Sequence, residues 1–258
     1  MRKQRTISNS AKLNWETESL RLTAFPRFPE RARDCGSWKA IVGREPDTRQ
    51  ERPSDQVVVE GGEFEDGWLT LEISPARIDW RFTMKAAENM PPSGMPVFGP
   101  FQETRDTFLL LMKRWLKTVS PLNRLAFGAV LLLPVTDRAI GYDTLNQLLP
   151  SVEIDSHGTS DFNYRINRKR PSQLEIKNLQ INRLSNWSVL SVRTAQVQLE
   201  PGRSRVFETQ DPLYACRLEL DINSAPEFAK GLPKKRFPML FHELIDFATE
   251  ISEEGDVR

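Results

Sequence analysis

Histidine and cysteine are nearly missing from this chain of 258 residues, which has only His157, His242, Cys35 and Cys216. Two isolated cysteines cannot form a disulfide scaffold or a zinc ribbon. A single Cys35–Cys216 bridge is the one pairing the composition allows, and unpaired thiols suit a reducing cytosol. Neither histidine has a cysteine or a second histidine at ligand spacing. His242-Glu243-Leu244-Ile245-Asp246 opens like a zinc-protease helix, but Asp246 stands where the second histidine is required. His242 is therefore expected on a helix surface, and no cofactor or metal is expected. Charge of one sign is also lacking, with 36 basic and 35 acidic side chains and a formal net charge of +1. The bulk charge points to neither a polyanion nor a membrane surface. No apolar run is long enough for a membrane helix. The longest, Leu125 to Val135, is about half the ~20 residues required and reads as a buried strand. Met1-Arg2-Lys3-Gln4-Arg5 leads into polar residues without an apolar signal region, so a cytoplasmic location is expected. No glycine-rich phosphate loop and no Gly-x-Ser-x-Gly elbow is present.

What is present is pattern. Residues 1–17 read as a flexible basic tail. Ser19 to Phe25 alternates as a strand and stops at Pro26 and Pro29. Arg44 to Asp55 is almost wholly polar and reads as a loop. In Gln56 to Phe82, Val57 to Val59 form one strand and Asp66-Gly67 marks a tight turn. Leu69, Leu71 and Ile73 alternate before Ser74-Pro75, and Ile78, Trp80 and Phe82 after it, as in a meander with one face in a core. Residues 89–101 form a proline-rich connector. Phe108, Leu111, Met112, Trp115 and Val119 then recur at helical spacing over Gln102 to Val119. The second half begins with a strand at Leu122 to Leu133 and a short helix at Asp143 to Leu149. Strands are expected at Phe162–Arg168, Gln173–Leu184, Trp187–Val197 and Leu213–Ile222, with Asn186 marking a turn. A last helix starts at Pro238. Strands followed by a helix therefore occur twice, over 18–120 and 121–258. The expected fold class is α+β, two antiparallel sheet-plus-helix halves packed together.

Two local features carry possible chemistry. Glu175-Ile176-Lys177 fits a Mg²⁺-dependent nuclease of the PD-(D/E)xK type. Alternation would put Glu175 and Lys177 on one strand face, with Asp155 or Asp161 upstream as the second carboxylate. A salt pair on a solvated strand accounts for the same tripeptide. Residues 161–205 hold 9 Lys or Arg against 3 Asp or Glu. Arg165, Arg168, Lys169, Arg170, Lys177, Arg183 and Arg193 with Tyr164 and Trp187 could hold phosphates and stack bases. Arg168-Lys169-Arg170 equally suits a soluble hairpin turn.

Several segments taken in order resemble a known family. These are Phe25-Pro26 closing the first strand, Leu69-Thr70-Leu71-Glu72-Ile73-Ser74-Pro75-Ala76-Arg77-Ile78-Asp79-Trp80, and Arg124-Leu125-Ala126-Phe127. Leu218-Glu219-Leu220-Asp221-Ile222 and Leu240-Phe241-His242-Glu243 complete the set. Over residues 18–252 the chain resembles a sporadically distributed bacterial family of similar length with no assigned activity. Leu131-Leu132-Leu133-Pro134 stands where that family has an Asn/Asp-rich strand. The resemblance implies a bacterial cytoplasmic protein from a mobile or defence-type gene cluster, and it supplies no catalytic residues.

The resulting expectation is a non-catalytic interaction or adaptor subunit of a bacterial multi-protein assembly, of the anti-phage defence kind, with a protein partner and no membrane. Six tryptophans against three tyrosines add a residue type favoured at interfaces. The alternatives are a nucleic-acid-binding accessory protein using 165–193 and the metal nuclease. An adaptor predicts an exposed apolar patch, and a nucleic-acid binder a continuous positive stripe. A nuclease predicts Glu175, Lys177 and an aspartate drawn together.

Overall fold

A computed structural model describes residues 13–36, 38–85, 94–193, 195–200, 203–208, 211–228 and 230–257. The basic segment 1–12 and residues 86–93 of the connector lie outside the described residues. The chain is α+β, with 29% helix and 39% strand. In the first half, β1 (Glu16–Pro26) is followed by the short helix α1 (Trp38–Val42). Next come β2 (Thr48–Arg52), β3 (Val57–Phe64), β4 (Gly67–Ile73), β5 (Ile78–Met84) and the helix α2 (Phe101–Thr118). The second half runs β6 (Leu122–Val135), α3 (Arg138–Leu148), β7 (Asn163–Asn167), β8 (Arg170–Pro171) and β9 (Gln180–Val192). It continues through β10 (Ala195–Glu200), β11 (Arg203–Glu208) and β12 (Leu213–Ser224) to α4 (Phe237–Glu254).

The two halves share one sheet. Its order is β2-β3-β4-β5-β1-β6-β12-β9-β7, with β8 beside β9, and β10 and β11 pair separately. The halves join where β1 and β6 run antiparallel, with Leu22 opposite Phe127 and Arg21 opposite Gly128. Each half places its first strand at the centre and its last strand beside it. The orders β3-β4-β5-β1 and β7-β9-β12-β6 therefore mirror each other across the junction, and each half ends in a helix of 18 residues.

Alternation along the strands decides which face is buried. Leu20 lies opposite Phe82 and Ala129, and Ala129 opposite Leu220. Leu69 continues that row beside Phe82. All four helices cover this face. Trp38 of α1 stacks on Trp80, Phe108 of α2 on Phe82, and Phe241 of α4 meets Phe127 edge-on at 5.8 Å. From α3, the Gly141 carbonyl accepts a contact from the buried Cys216 thiol. Five tryptophans (15, 38, 80, 115 and 187) are buried in this core, so they build the interior and do not mark an interface.

Several boundaries differ from expectation. Trp15 and Thr17, expected within a 1–17 tail, are buried, and the Trp15 indole donates to the Ser252 carbonyl at 2.8 Å. The polar 44–55 segment contains β2, an edge strand whose five residues are all exposed. It is held by backbone pairing with Val57 to Gly61 and not by side-chain burial. Trp187 continues the strand that contains Ile181, so β9 has no turn at Asn186. Residues 173–179 are not strand, and Glu175 is left-handed with φ 54°. Asp66-Gly67 does lie at a turn, but the left-handed residue is Glu65, with φ 46°. Glycine is needed at 67 for space, since a Cβ there would sit 2.5 Å from Phe82 Cε2. Both cysteines are buried and free, so no Cys35–Cys216 bridge forms.

Candidate interaction surface

The second face of the sheet carries no helix among the described residues, because all four helices lie on the first. Nine strands at about 4.8 Å spacing make it roughly 40 Å wide. Across its middle, Arg21 lies between Arg81 and Gly128, and Asp221 follows Gly128. The missing Cβ of Gly128 gives Arg21 a bed, since a Cβ there would meet Arg21 Nη2 at 3.3 Å. Arg21 Nε is buried and makes no hydrogen bond. One row along, Thr23 donates to Asp79 at 2.5 Å, and Arg77 holds the other Asp79 oxygen at 2.6 Å. Both Thr23 and Asp79 are buried although they lie on the helix-free side.

On the second half, an amide ladder crosses this face. Asn167 donates to Asn182 at 3.1 Å, Asn182 to Asn223 at 3.0 Å, and Asn223 to Asp221 at 3.0 Å. Arg124 also donates to Asn223 and stacks on the Phe25 ring at 4.7 Å. Arg217 pairs with Glu18 and Glu219. Arg21, Arg81, Arg124, Arg165 and Arg217 thus face Glu18, Glu72, Asp79, Glu219 and Asp221, with half-buried Trp68, Val130 and Leu184 among them. The surface is charged but nearly balanced. Among the described residues the large exposed apolar side chains, Phe28, Leu110, Ile140 and Met239, lie on four different segments. The expected apolar patch is therefore replaced by a mixed one.

The basic block divides between the two sides. Arg165 is exposed on the helix-free face, opposite Asn186. Arg168 turns to the helix side and grips Asp256 with both nitrogens at 2.6 Å. Ser151 and Tyr164 also donate to Asp256. Burial alone pushes the Asp256 carboxyl up, but the hydrogen bonds and charge of Arg168, with Ser151 and Tyr164, outweigh it and hold the group below the ordinary range. Lys169 pairs with Glu227, and Arg170 with Glu250 at 2.8 Å. Arg183, read as a phosphate ligand, has no exposed side chain and lies 3.1 Å from Glu250 and 5.2 Å from the Phe247 ring centre. That contact has ion-pair distance without hydrogen-bond geometry, and Arg183 Nε, Nη1 and Nη2 have no hydrogen-bond partner. Burial lowers its pKa despite Glu250.

The nuclease residues do not occupy the strand their chemistry requires. Asp161 is exposed before β7, and Glu175 and Lys177 are exposed in the turn before β9. Among the described residues, no three His, Cys, Asp or Glu side chains are grouped to hold a metal. His242 is on the surface of α4, 3.6 Å from Asp246. The Cys35 and Cys216 thiols are both pushed up to about 12, chiefly by burial, so neither is an activated nucleophile. The Asp256 latch went unread in the sequence, because Glu253-Glu254-Gly255-Asp256 looks like any charged helix end. The amide ladder was equally silent in the sequence, because Asn167, Asn182 and Asn223 each lie on a different strand.

Among the described residues no helix is long and apolar enough to cross a membrane. Comparison with known proteins finds no matching family model, no matching curated protein and no matching solved structure.

Proposed function

We propose that this protein is a non-catalytic interaction subunit of a bacterial multi-protein assembly, of the anti-phage defence kind the family resemblance points to, and that it docks through the helix-free face of its sheet. The observation that carries the reading is that face itself. Ten strands and four helices are arranged so that, among the described residues, every helix lies on one side of the sheet and none on the other. At roughly 40 Å by 20 Å the face offers about 800 Å², the share one partner contributes to a standard interface. Balanced charge with interspersed amides and apolar residues suits a protein surface better than a polyanion, which needs net positive potential. The nucleic-acid alternative is weakened because Arg168, Arg170 and Arg183 already engage carboxylates.

The test is to isolate the chain with its stoichiometric partner and then replace Thr70 and Val130, half-buried on this face, as Thr70→Arg with Val130→Arg. The complex should be lost while the variant remains folded by circular dichroism. A complex that survives, or robust hydrolytic turnover by the purified wild-type chain, contradicts the proposal.

A further inference from the structure

At one end of the helix-free face, a groove of about 390 Å³ opens between four chain segments. Its walls include Phe25, Pro26, Pro75, Arg124, Pro226 and Phe228. Resting on the adaptor reading above, we propose that this groove takes an extended acidic peptide of the partner, which inserts one aromatic or large aliphatic side chain.

Three observations point to that occupant. First, the walls are proline and phenylalanine. Proline has no N–H, so a partner finds few backbone donors here for strand addition and must bind by inserting side chains. The volume lies in the range of sites that hold a side chain or small ligand. Second, Arg124 is fixed in the wall by its stack on Phe25 and by its hydrogen bonds to the Ser224 carbonyl and Asn223, both 3.2 Å. It presents a cation whose ordering is already complete, which favours charge-assisted recognition.

Third, the surroundings are cationic. Arg27 follows Pro26 directly, and a Cβ on Gly231 would lie 3.4 Å from Arg27 Nη1 and 3.6 Å from the groove residue Asn123. Gly231 therefore lies against Arg27, and the Leu232 amide is bonded to the Leu122 carbonyl at 2.9 Å. Lys230, beside Gly231, is exposed. The Arg31–Asp34, Arg77–Asp79 and Lys169–Glu227 pairs cancel one another's charge. With Glu227 shared between Lys169 and Arg124, Arg27, Arg124 and Lys230 outnumber Glu30, the carboxylate next to Pro29 in the wall. The balanced face thus ends in an apolar slot with a positive rim, the complement of an acidic segment with an apolar anchor.

The test uses a fluorescein-labelled short peptide of Asp and Glu around one Phe, read by fluorescence anisotropy with the full chain. Controls replace the Phe by Ala or the acids by Lys. The expected result is binding at least tenfold tighter than either control. Arg27→Glu with Lys230→Glu, both at exposed positions, should weaken it about tenfold, and added salt should mimic that loss. Ala76→Trp, at an exposed turn position lining the slot, should abolish it. Equal binding of the controls, binding untouched by the charge-reversed variant, or absence of binding overturns the proposal. A single-stranded oligonucleotide that displaces the peptide at equal or lower concentration also overturns it, in favour of a polyanion site. If the full assembly forms with both groove variants but not with Thr70→Arg and Val130→Arg, the groove assignment falls and the adaptor reading stands.

Discussion

The carboxylate of Asp256 should act as the clasp that holds the end of α4 to the second half of the sheet, and its removal should cost stability in a pH-dependent way. Its side chain is 2% exposed and is gripped bidentately by Arg168, itself 23% exposed. The backbone shares in the clasp. The Asp256 amide donates to the Leu148 carbonyl at 2.9 Å. Gly255 before it has φ 80°, and a Cβ there would collide with the Leu148 carbonyl. Removing one partner of a fully buried pair costs about 3–5 kcal/mol, and the partial exposure of Arg168 lets water recover some of that, leaving about 2–3 kcal/mol for Asp256→Ala. In a chain of this length that is a fall of about 5–10 °C in Tm. Asp256→Asn should lose somewhat less, because the amide oxygen still accepts from Tyr164 or Ser151. The folded pKa of Asp256 is depressed, so its stabilisation is complete above the unfolded value near 3.9 and is lost as pH falls through the folded value. Urea titrations of wild type and Asp256→Asn should therefore show a gap at neutral pH that closes as the pH drops below about 4. In a double-mutant cycle, Arg168→Met combined with Asp256→Ala should recover part of the loss. A gap of equal size at neutral and acidic pH, or strictly additive losses, would refute the clasp.

Arg183 should behave in the opposite way. Its guanidinium is buried without hydrogen bonds, and Glu250 keeps Arg170 at 2.8 Å when Arg183 is gone, so Arg183→Met, which fills similar space without a charge, should be neutral or stabilising by about 1 kcal/mol. A urea midpoint that falls clearly would show that Glu250 compensates the burial after all. The two cysteines should be silent towards Ellman's reagent in the native state and titrate fully in guanidinium chloride. Because both folded thiol pKa values are raised to about 12, their contribution to stability is present below the unfolded value near 8.5 and is lost as pH rises through the folded value. Rapid modification of native protein would count against this burial. Gly67→Ala should cost about 1–3 kcal/mol by overpacking against Phe82 and the Thr83 carbonyl, seen as a lowered Tm, and an unchanged Tm would contradict the close approach.

Much of the fold was legible because its signals are local. The β4–β5 meander follows from alternation either side of Ser74-Pro75, and α2 from apolar residues three and four apart. The fusion of the two halves was not legible, because the pairing of β1 with β6 is a choice between partners far apart in sequence. β2 was missed for a related reason: Thr48 to Arg52 is polar throughout, and only its backbone enters the sheet. In β9, Asn186 read as a turn, yet on a helix-free face a polar residue is what a continuing strand would carry. Arg183 shows the limit of alternation, since parity puts it on the core side where its residue type is least expected. Glu175-Ile176-Lys177 alternates on paper, but the chain turns there with Glu175 left-handed. Asp256 finds its partners across the fold, in Arg168, Tyr164 and Ser151, and nothing near it in the chain announces them.

Hydroxyl-radical footprinting of the free chain and of its isolated complex tests the docking face most directly. Trp68, Val130 and Leu184, all half-buried on the helix-free side, should lose reactivity in the complex, while Leu110 and Ile140 on the helices keep theirs. Protection confined to the helices, with those three side chains as reactive as in the free protein, would contradict the account.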